Sequence, residues 1–360
     1  MKINILVPFV PHKPGGGLRV MFEYANQLAA RGHDVLCYFP AASGINPGSA
    51  LKRLLKYLYY GKVYGKLPNW FSFHPAVKTS IIYGVNNRSI RNADVVFSTW
   101  WDLCYDIKNL NPEKGRHFNL IQDIETWLGN EKEVLASYTV AKSENVVIAQ
   151  YLYEYIGKVT GKFPHKVTFA IDHSRYKVVV PIAERAPQSV CMLYSLEPRK
   201  GTKYGIEALK LLKAQNPELQ VSLFGVAARP ADLPEWMDYY ENFNDIPSLY
   251  NKAAIFIGPS NQEGCALPPM EAMYSGCAVV CTAIDGHRDY AFDQDTVLLA
   301  APQNAADIAE KVQLLIDDQS LRLKIAEQGN TFVNKFSWER TGAEMEQIFK
   351  KFSHISIKPV

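Results

Sequence analysis

Two glutamates spaced eight positions apart have the clearest capacity for chemistry in this sequence. Glu263 and Glu271 lie in the stretch SNQEGCALPPMEAM (260–273), which follows a short apolar run. Pro268 and Pro269 suit the first turn of a helix, because the N–H donor that proline lacks is not needed there. The pattern therefore predicts Glu263 on a loop at the carboxyl end of a strand and Glu271 near the start of the next helix.

The start of a helix favours anions, because its first N–H groups have no partner in the helix and the helix dipole is positive there. Two carboxylates beside such a helix start indicate a site for a molecule that carries both hydroxyl groups and phosphates. The spacing alone is weak evidence for a site, because the chain contains 36 acidic residues. The residues that flank the two glutamates give the pattern its weight.

Short apolar segments alternate with helical patterns along most of the chain, which is typical of parallel sheets with helices on both faces. The predicted strands are 3–7, 35–38, 95–98, 118–121, 145–148, 190–194, 221–224, 254–257, 278–281 and 297–299, and the predicted helices of the second half are 203–215, 268–275, 305–317 and 321–335. A polar, irregular stretch at 171–187 is interpreted as a linker. We therefore expect an α/β protein with two Rossmann-like domains, 1–172 and 187–337, that face each other across a cleft.

The composition excludes several other classes of protein. With 48% hydrophobic and 21% charged residues, the 360-residue chain has the composition of a soluble globular protein. A net charge of +3 is too small to indicate nucleic acid as a partner. The six cysteines have no C-x-x-C spacing, which argues against zinc and a disulfide framework and favours a cytoplasmic location. No apolar run approaches the ~20 residues of a membrane-spanning helix.

The flanks of the two glutamates resemble the signature of glycosyltransferase family 4, whose members are retaining enzymes with the GT-B fold. The similarity includes Pro-Ser after a strand, Glu-Gly, Leu-Pro, Glu-Ala and a glycine before the next strand. Cys265 and Ala266 stand where the family usually has an aromatic residue and a glycine. Further stretches that resemble the family are GGG (15–17), RGHDV (31–35), LEPRKG (196–201), FG (224–225), IPSLY (246–250) and FSW (336–338).

Two further positions depart from the family pattern. The family usually carries an arginine five residues before the lysine of Lys-Gly, and this sequence has Ser195 there. Arg199, next to Lys200, is one candidate for the second positive charge, and the alternative is that it is a solvated surface cation. Near residue 122 many family members have a histidine, whereas this chain has glutamine followed by Asp123. Asp123 is interpreted as a binder of an acceptor or sugar hydroxyl, with a helix cap as the alternative.

The resemblance implies a hexosyl- or deoxyhexosyltransferase that moves a sugar, with retention, from a nucleotide diphosphate to a hydroxyl of a glycan or lipid-linked glycan. It also implies a role in bacterial surface polysaccharide biosynthesis, no metal and no cofactor. The C-terminal helix, 338–352, would return to the first domain. The residues assigned to catalysis are Glu263, Lys200 and Asp123, and those assigned to donor binding are Gly16, Gly17, Ser195, Arg199, Lys200, Cys265, Ala266, Leu267 and Glu271.

Other interpretations remain open at this stage. A sugar-nucleotide epimerase and a non-catalytic partner subunit would both fit a GT-B chain. A nicotinamide cofactor is not expected, because the glycines at 15–17 lie well beyond the first strand and the second strand ends without an acid. His12, His33, His173 and His287 have no spacing that suggests a metal and are interpreted as surface or loop residues. The donor base, the sugar, the acceptor, the linkage and the oligomeric state stay open.

The segment 51–66 departs from the alternating pattern. It combines leucine and tyrosine with Lys52, Arg53, Lys56, Lys62 and Lys66 at roughly helical spacing and contains no acid. One interpretation is a core-facing helix with a basic edge. The other is a helix that lies on an anionic membrane surface, which would place the protein at the inner face of the cell membrane.

Overall fold

The computed structural model describes residues 1–12, 14–45, 48–63, 68–126 and 131–353. The chain divides into two compact units. The N-unit comprises Met1–Phe169 together with the chain from Trp338 onward, and the C-unit comprises Ala170–Ser337. The segment interpreted as a linker, 171–187, thus belongs to the C-unit.

Within its described residues, the N-unit contains a seven-stranded parallel sheet in the order β3-β2-β1-β4-β5-β6-β7. The strands are β1 Lys2–Leu6, β2 Asp34–Pro40, β3 Lys78–Ile82, β4 Val95–Thr99, β5 Arg116–Ile121, β6 Glu144–Val147 and β7 His165–Lys166. The five strands predicted for this half are confirmed. The edge strands β3 and β7 were not predicted, because they are short and lack a continuous apolar run.

Helices cover the sheet of the N-unit. They are α1 Gly16–Ala30, α2 Ala50–Val63, α3 Leu103–Ile107, α4 Glu131–Val140, α5 Gln150–Thr160 and α11 Trp338–Ser353, where α11 is the last helix of the chain. Helix α1 ends just before Gly32, whose φ of +83° suits glycine at the end of a helix. In α11, the Phe349 ring lies 5.3 Å from Phe97 and 4.7 Å from Phe118 between centroids, so this helix packs on the N-unit sheet.

Within its described residues, the C-unit contains a six-stranded parallel sheet in the order β10-β9-β8-β11-β12-β13. The strands are β8 Ser189–Leu193, β9 Gln220–Gly225, β10 Met237–Glu241, β11 Ile255–Gly258, β12 Ala278–Thr282 and β13 Leu298–Ala300, and the helices are α6 Thr202–Gln215, α7 Ile246–Lys252, α8 Leu267–Tyr274, α9 Ala305–Asp317 and α10 Gln319–Val333. All the predicted elements of this half are confirmed. Of the six strands described here, only β10, at the sheet edge, was not predicted, and α7 was not among the predicted helices.

Each sheet reverses its strand order once. The reversal lies between β1 and β4 in the N-unit and between β8 and β11 in the C-unit. In open parallel sheets the loops that leave the two strands at such a point diverge, and ligands bind in the crevice at their carboxyl ends. The topology therefore selects the loops after β8 and β11 as one position for a site, and those after β1 and β4 as another.

The stretch 171–187 is anchored in the C-unit by a buried side chain near its end. Arg185 is 5% exposed, and its guanidinium donates to the carbonyl oxygens of Tyr250, Ala253 and Ser275 at 3.2, 3.1 and 2.6 Å. These carbonyls lie at the carboxyl ends of α7 and α8, where cations are favoured by the helix dipole. The segment thus ties together the two helices that carry Tyr250 and Glu271.

The core-facing interpretation of α2 is wrong. Its large apolar side chains are exposed, with Leu51 at 66%, Leu55 at 57% and Tyr59 at 54%. Arg53 is half-buried and its guanidinium lies 5.1 Å from the centre of the Tyr83 ring. Lys66 lies outside the described residues. In the described parts of the chain, no helix combines the length and apolarity needed to cross a membrane.

Candidate functional site

The loops after β8 and β11 are joined through their backbones. The N–H groups of Asn261 and Gln262 donate to the carbonyl oxygen of Arg199 at 2.7 and 3.3 Å. Gly201 has φ of +64°, and a Cβ at this position would collide with the carbonyl oxygen of Pro259. Only glycine combines this left-handed backbone with so close an approach, which explains the Lys-Gly pair in physical terms.

Lys200 and Arg199 converge on the carboxylate of Glu263. Lys200 Nζ lies 2.8 and 2.9 Å from the two carboxylate oxygens, and Arg199 Nη1 lies 3.6 Å from Oε2. Ser260 Oγ donates to Oε1 at 2.7 Å. We call these four residues the Glu263 cluster. Arg199 thus points to the same carboxylate as Lys200, so the solvated-cation alternative is wrong.

The Glu263 cluster is largely shielded from water. Glu263 is 7% exposed, and the Lys200 side chain is 19% exposed. Charges held this close in a partly desolvated site interact much more strongly than they would in bulk water. Three members of the cluster, Lys200, Ser260 and Glu263, line a pocket whose other lining residues are Leu193, Phe256, Ile257, Gly258, Pro259, Ala266, Pro268 and Pro269.

Ser195 shapes the loop after β8. Its hydroxyl oxygen accepts the N–H of Glu197 at 3.2 Å. Its backbone N–H donates to Thr202 Oγ1 at 3.0 Å, and the Thr202 hydroxyl donates back to its carbonyl oxygen at 2.8 Å. These bonds fix the turn that presents Lys200. A direct role of Ser195 in donor binding stays a prediction.

Helix α8 begins as the prolines predict. Ala266 is the extended residue before the helix, and Leu267, Pro268 and Pro269 form its first turn. Because neither proline carries an N–H group, the backbone donors of this helix start are those of Leu267 and of residues just before it. Cys265 is half-buried and Ala266 is buried. Two small side chains leave the backbone of this turn approachable.

Glu271 has a buried partner that the sequence did not reveal. The hydroxyl of Tyr250, on α7, donates to Glu271 Oε2 at 3.4 Å. Tyr250 is fully buried, and burial together with the charge of Glu271 raises its pKa well above the usual value. The phenol is therefore neutral and acts as a donor. The segment IPSLY carried the resemblance to the family, but no pattern in it pointed to a partner for Glu271.

A second layer holds the Glu263 loop from behind. The Thr282 hydroxyl donates to the carbonyl oxygen of Ser260, and His287 Nδ1 lies 2.7 Å from the carbonyl oxygen of Thr282. Since a carbonyl only accepts, Nδ1 carries the proton. A Cβ on Gly286 would collide with the carbonyl oxygen of Glu263. The chain segment 282–287 therefore packs directly against the loop.

His33 lies between α1 and β2 and His287 between β12 and β13, so both are loop residues as interpreted, but neither side chain is at the surface. His287 is 1% exposed, and burial lowers its pKa. His33 is 9% exposed and its Nε2 lies 3.0 Å from Glu346 on α11, within the N-unit. The contact of His33 joins residues far apart in the sequence, so spacing could not have indicated it. His12 is exposed, as expected.

In the N-unit, α1 starts with exposed glycines at the carboxyl end of the sheet. Gln122 Nε2 donates to the carbonyl oxygen of Gly17 at 3.1 Å and to Thr99 Oγ1 at 3.0 Å. Gln122 thereby connects the loop after β5 to the end of β4 and to the helix start. A Cβ on Gly16 would meet nothing within 4 Å. The N-unit therefore also presents an open helix start beside the point where its strand order reverses.

Two carboxylates follow β5. Asp123 is 9% exposed, and its Oδ1 accepts the N–H of Ile124 at 2.8 Å and the hydroxyl of Tyr151 at 3.1 Å. Glu125 Oε2 accepts the N–H of Trp101 at 3.0 Å. Burial, with a further contribution from the charge of Asp123, raises the pKa of Glu125 to about 7. The helix-cap alternative for Asp123 stays open, because residues 127–130 lie outside the described residues.

Neither position brings together a set of metal ligands. Across the described ranges, no group of three or more His, Cys, Asp or Glu side chains has a geometry that could hold a metal ion. Apart from Cys265, the cysteines are buried. The chemistry of the C-unit site is instead that of two cations, a carboxylate and a helix start.

Sequence comparison finds relatives chiefly for the C-unit. Residues 181–332 match the model of the family "Glycosyl transferases group 1". An uncharacterised glycosyltransferase of Methanocaldococcus jannaschii is 29% identical over 113 residues, 31% of this chain and 32% of that protein. A D-inositol 3-phosphate glycosyltransferase of Corynebacterium aurimucosum is 26% identical over 206 residues, 52% of this chain and 48% of that protein. The matches thus span about a third to a half of these relatives.

Solved structures match the fold over nearly the whole chain. Sucrose-phosphate synthase of Thermosynechococcus elongatus superposes with a TM-score of 0.69 at 16% identity, covering 98% of this chain and 99% of that one. HepE of Anabaena, in complex with UDP-glucose, superposes with a TM-score of 0.72 at 15% identity, covering 98% and 100%. This protein therefore has the GT-B fold, and its residues 181–332 are similar to the glycosyl transferases group 1 family.

Proposed function

We propose that this protein is a glycosyltransferase that moves a sugar from a nucleotide diphosphate to a hydroxyl of a glycan. The observation that carries the proposal is the convergence of Lys200 and Arg199 on Glu263, beside the start of α8 and at the point where the C-unit sheet reverses its strand order. Cations beside a helix start suit a diphosphate. A buried carboxylate beside them suits sugar hydroxyls.

In this proposal each group of the C-unit site has one role. Lys200 and Arg199, with the N–H groups of residues 265–267, stabilise the negative charge that develops on the leaving diphosphate. Fixed donors aimed at developing charge are usually the largest contribution to catalysis. Glu263 accepts hydroxyl donors of the donor sugar. Glu271, held by the buried hydroxyl of Tyr250, accepts hydroxyl donors of the ribose.

The finer assignment rests on the resemblance to glycosyltransferase family 4. The transfer is retaining: the bond from the anomeric carbon to the phosphate oxygen breaks with its electron pair on the phosphate, and the acceptor oxygen attacks from the same face. The acceptor proton passes to the leaving phosphate oxygen, so neither a metal nor an enzyme nucleophile is required. The transferred group is a hexose or deoxyhexose. A capsular polysaccharide biosynthesis glycosyltransferase of Staphylococcus aureus, 31% identical over 113 residues, supports a surface polysaccharide as the product.

The N-unit supplies the acceptor side in this proposal. Asp123 follows β5, and its Oδ1 accepts the hydroxyl of Tyr151. A carboxylate that already accepts hydroxyl and N–H donors is suited to orient an acceptor hydroxyl.

A thermal-shift screen of UDP-, GDP-, ADP- and dTDP-sugars tests the donor class. A ligand at 100 times its Kd should stabilise the protein by about 2.7 kcal/mol. Glu271→Ala should weaken binding of the best ligand by roughly 1–3 kcal/mol, because a buried hydrogen-bond partner of the ribose is lost. Glu310→Ala, which removes an exposed carboxylate on α9, is the matched control. No shift with any nucleotide sugar would contradict the proposal.

Turnover separates the proposal from its two rivals. Transfer of the sugar that requires an acceptor identifies a transferase. Donor turnover that needs no acceptor would identify a sugar-nucleotide epimerase. Binding without transfer or hydrolysis, across a panel of glycan acceptors, would identify a non-catalytic partner subunit.

We further propose that α2 lies on an anionic membrane surface at the cytoplasmic face. Its exposed Leu51, Leu55 and Tyr59 are interleaved with the exposed Lys52 and Lys56. Each basic residue near an anionic surface contributes about 1 kcal/mol to binding. An acceptor built on a lipid carrier would lie at that surface.

Sedimentation with phosphatidylglycerol vesicles tests the membrane contact. Binding should decrease with salt, and the triple variant Lys52→Glu, Arg53→Glu, Lys56→Glu should bind much more weakly. A charge-matched control changes the exposed Lys210, Lys252 and Lys324 of the C-unit to Glu. Equal sedimentation of wild type and α2 variant would show that the exposed helix does not bind the membrane.

A further inference from the structure

The carboxylate of Glu263 engages both cations that the proposed function assigns to the diphosphate. Lys200 Nζ bonds to its two oxygens at 2.8 and 2.9 Å, and Arg199 Nη1 lies 3.6 Å from Oε2. A diphosphate that draws these cations to itself must take them from Glu263, at least in part. The inference that follows rests on the proposed function and deepens it.

Glu263 is poorly placed to lose its partners. It is 7% exposed, so water does not solvate the carboxylate when the cations leave. It also cannot swing away easily, because Ser260 Oγ holds Oε1 at 2.7 Å and Gly286 packs against its backbone carbonyl. A buried carboxylate without a compensating charge or hydrogen bonds is strongly unfavourable.

The donor and the product differ in the hydrogen-bond donors and the charge that they place next to the carboxylate of Glu263. A nucleotide sugar brings hydroxyl donors that replace the N–H donors withdrawn from Glu263. A bare nucleotide diphosphate brings none, and its terminal phosphate carries additional negative charge near the carboxylate. Like charges at this distance repel, and the partly desolvated site screens them weakly.

We infer that Glu263 makes the site discriminate between the sugar-bearing donor and the bare nucleotide diphosphate, by competing with the diphosphate for Lys200 and Arg199. The ion pair of the ligand-free protein is thus a specificity device. It weakens the binding of the product and so favours its release after transfer. The substrate class it selects is a nucleotide diphosphate whose terminal phosphate is esterified to a polyhydroxylated group.

Calorimetric titration with UDP, GDP, ADP and dTDP tests the inference, with the tightest of the four used throughout. Glu263→Gln should bind this nucleotide about tenfold more tightly than the wild type, since the competing charge is gone and the side chain keeps its shape. The same variant should lose turnover of the nucleotide sugar. Affinity for the matching nucleoside, which has no phosphate, should stay unchanged.

Glu197→Gln is the matched control. Glu197 also holds Arg199, with its Oε2 2.8 Å from Nε, but its side chain is 59% exposed and has no contact to Lys200 among the described interactions. Its replacement should change the affinity for the bare diphosphate by less than about twofold. In a protein that already carries Lys200→Met, Glu263→Gln should increase the affinity for the bare diphosphate by less than about threefold. The reason is that the lysine for which Glu263 and the diphosphate compete is absent.

The wild type offers a test that does not depend on any variant. It should bind the nucleotide sugar at least as tightly as the bare diphosphate of the same base, although the bare diphosphate carries more negative charge. Unchanged or weaker binding of the bare diphosphate by Glu263→Gln, or a wild type that prefers the bare diphosphate, would overturn the inference while leaving the proposed function standing. Failure of every nucleotide and nucleotide sugar to bind would overturn the proposed function, and the inference with it.

Discussion

The N-unit and the C-unit follow one architectural plan but place opposite charges at its key position. Both have a parallel sheet that reverses its strand order once, and in both a helix starts beside that point. In the C-unit, Lys200 and Arg199 reach this position and share one carboxylate. In the N-unit, Asp123 and Glu125 follow the neighbouring strand β5, and Glu125 contacts the loop after β4 by accepting the N–H of Trp101. The fold supplies the place, and the side chains decide what it binds.

The two units also stabilise their buried carboxylates differently. Glu263 is compensated by two cations and a hydroxyl. Glu125 accepts one backbone N–H, and its pKa is raised to about 7, so near neutral pH it is partly protonated. Glu263 is thus paired with two cations, whereas Glu125 is partly protonated. We therefore expect the C-unit site to attract anions and the N-unit site to prefer uncharged hydroxyl donors.

The largest expected effect follows from Lys200→Ala. Loss of the cation that stabilises the leaving diphosphate should lower turnover by on the order of a hundredfold or more. Steady-state transfer rates, measured with the best donor from the thermal-shift screen, would check this. Lys203→Ala, which removes an exposed lysine from the first turn of α6, should have little effect. Equal losses of turnover in the two variants would mean that catalysis does not depend specifically on the lysine that contacts Glu263.

A chelator sharpens the same prediction. The proposed chemistry uses Lys200 and Arg199 as its positive charges, so turnover of the wild type should not change in EDTA. Activity that disappears with EDTA and returns with manganese would contradict the metal-free proposal.

His117 in the N-unit should give the next largest effect, on stability. It is 7% exposed, its Nε2 lies 2.8 Å from Ser98 Oγ, and burial lowers its pKa from 6.5 to about 3. The native state therefore binds fewer protons than the unfolded state between these two values. The contribution of neutral, buried His117 to the free energy of unfolding is therefore present above pH 6.5 and is lost as the pH falls below it. Between pH 7 and 5 His117 should lower the free energy of unfolding by about 2 kcal/mol.

Urea unfolding at pH 7 and pH 5 measures this effect as a difference. Glu125 works in the opposite direction, since its raised pKa stabilises the folded protein as the pH falls. The test is therefore whether His117→Gln loses about 2 kcal/mol less than the wild type over this interval. His12→Gln, at an exposed position, is the control. Identical pH dependence in His117→Gln and wild type would contradict the prediction.

The elements were largely predictable from the sequence, whereas several contacts of the site were not. The loop after β11 could be predicted, because Glu263, Glu271 and the two prolines lie in one short stretch with a strand before it. The contacts of Tyr250, Arg185 and His287 could not be predicted. Each of these residues comes from a different segment of the chain, and their positions follow no helical or strand period. The edge strands β3, β7 and β10 are short or partly exposed, so they lack the apolar runs that revealed the central strands.

The exposure of α2 shows a different limit of sequence reasoning. Leucine and tyrosine at helical spacing usually face a core. In α2, Leu51, Leu54, Leu55 and Leu58 are all exposed. Periodicity indicates that a helix has an apolar face, but it does not say whether the protein or another surface covers that face.

Asp123→Asn should give a smaller effect that separates the two units. The change removes a negative charge from the N-unit site, while the amide oxygen can still accept the hydroxyl of Tyr151. We expect the acceptor KM to rise about tenfold, as for a charged hydrogen bond made neutral. The donor Kd should not change. A weaker donor Kd with an unchanged acceptor KM would reverse the assignment of the two units.

The smallest expected effect on stability comes from Gly16→Ala, and Gly201→Ala is its counterpart in the C-unit. At Gly201 the left-handed φ and the collision with Pro259 should make the substitution clearly destabilising. At Gly16 a Cβ would meet nothing within 4 Å, so the unfolding free energy should stay the same or rise by about 0.4–1 kcal/mol. If Gly16 is glycine so that a ligand can approach the backbone, this stable variant should bind the donor several-fold more weakly in calorimetry. A stable Gly16→Ala protein with unchanged donor and acceptor parameters would show that the glycine only opens the turn before α1.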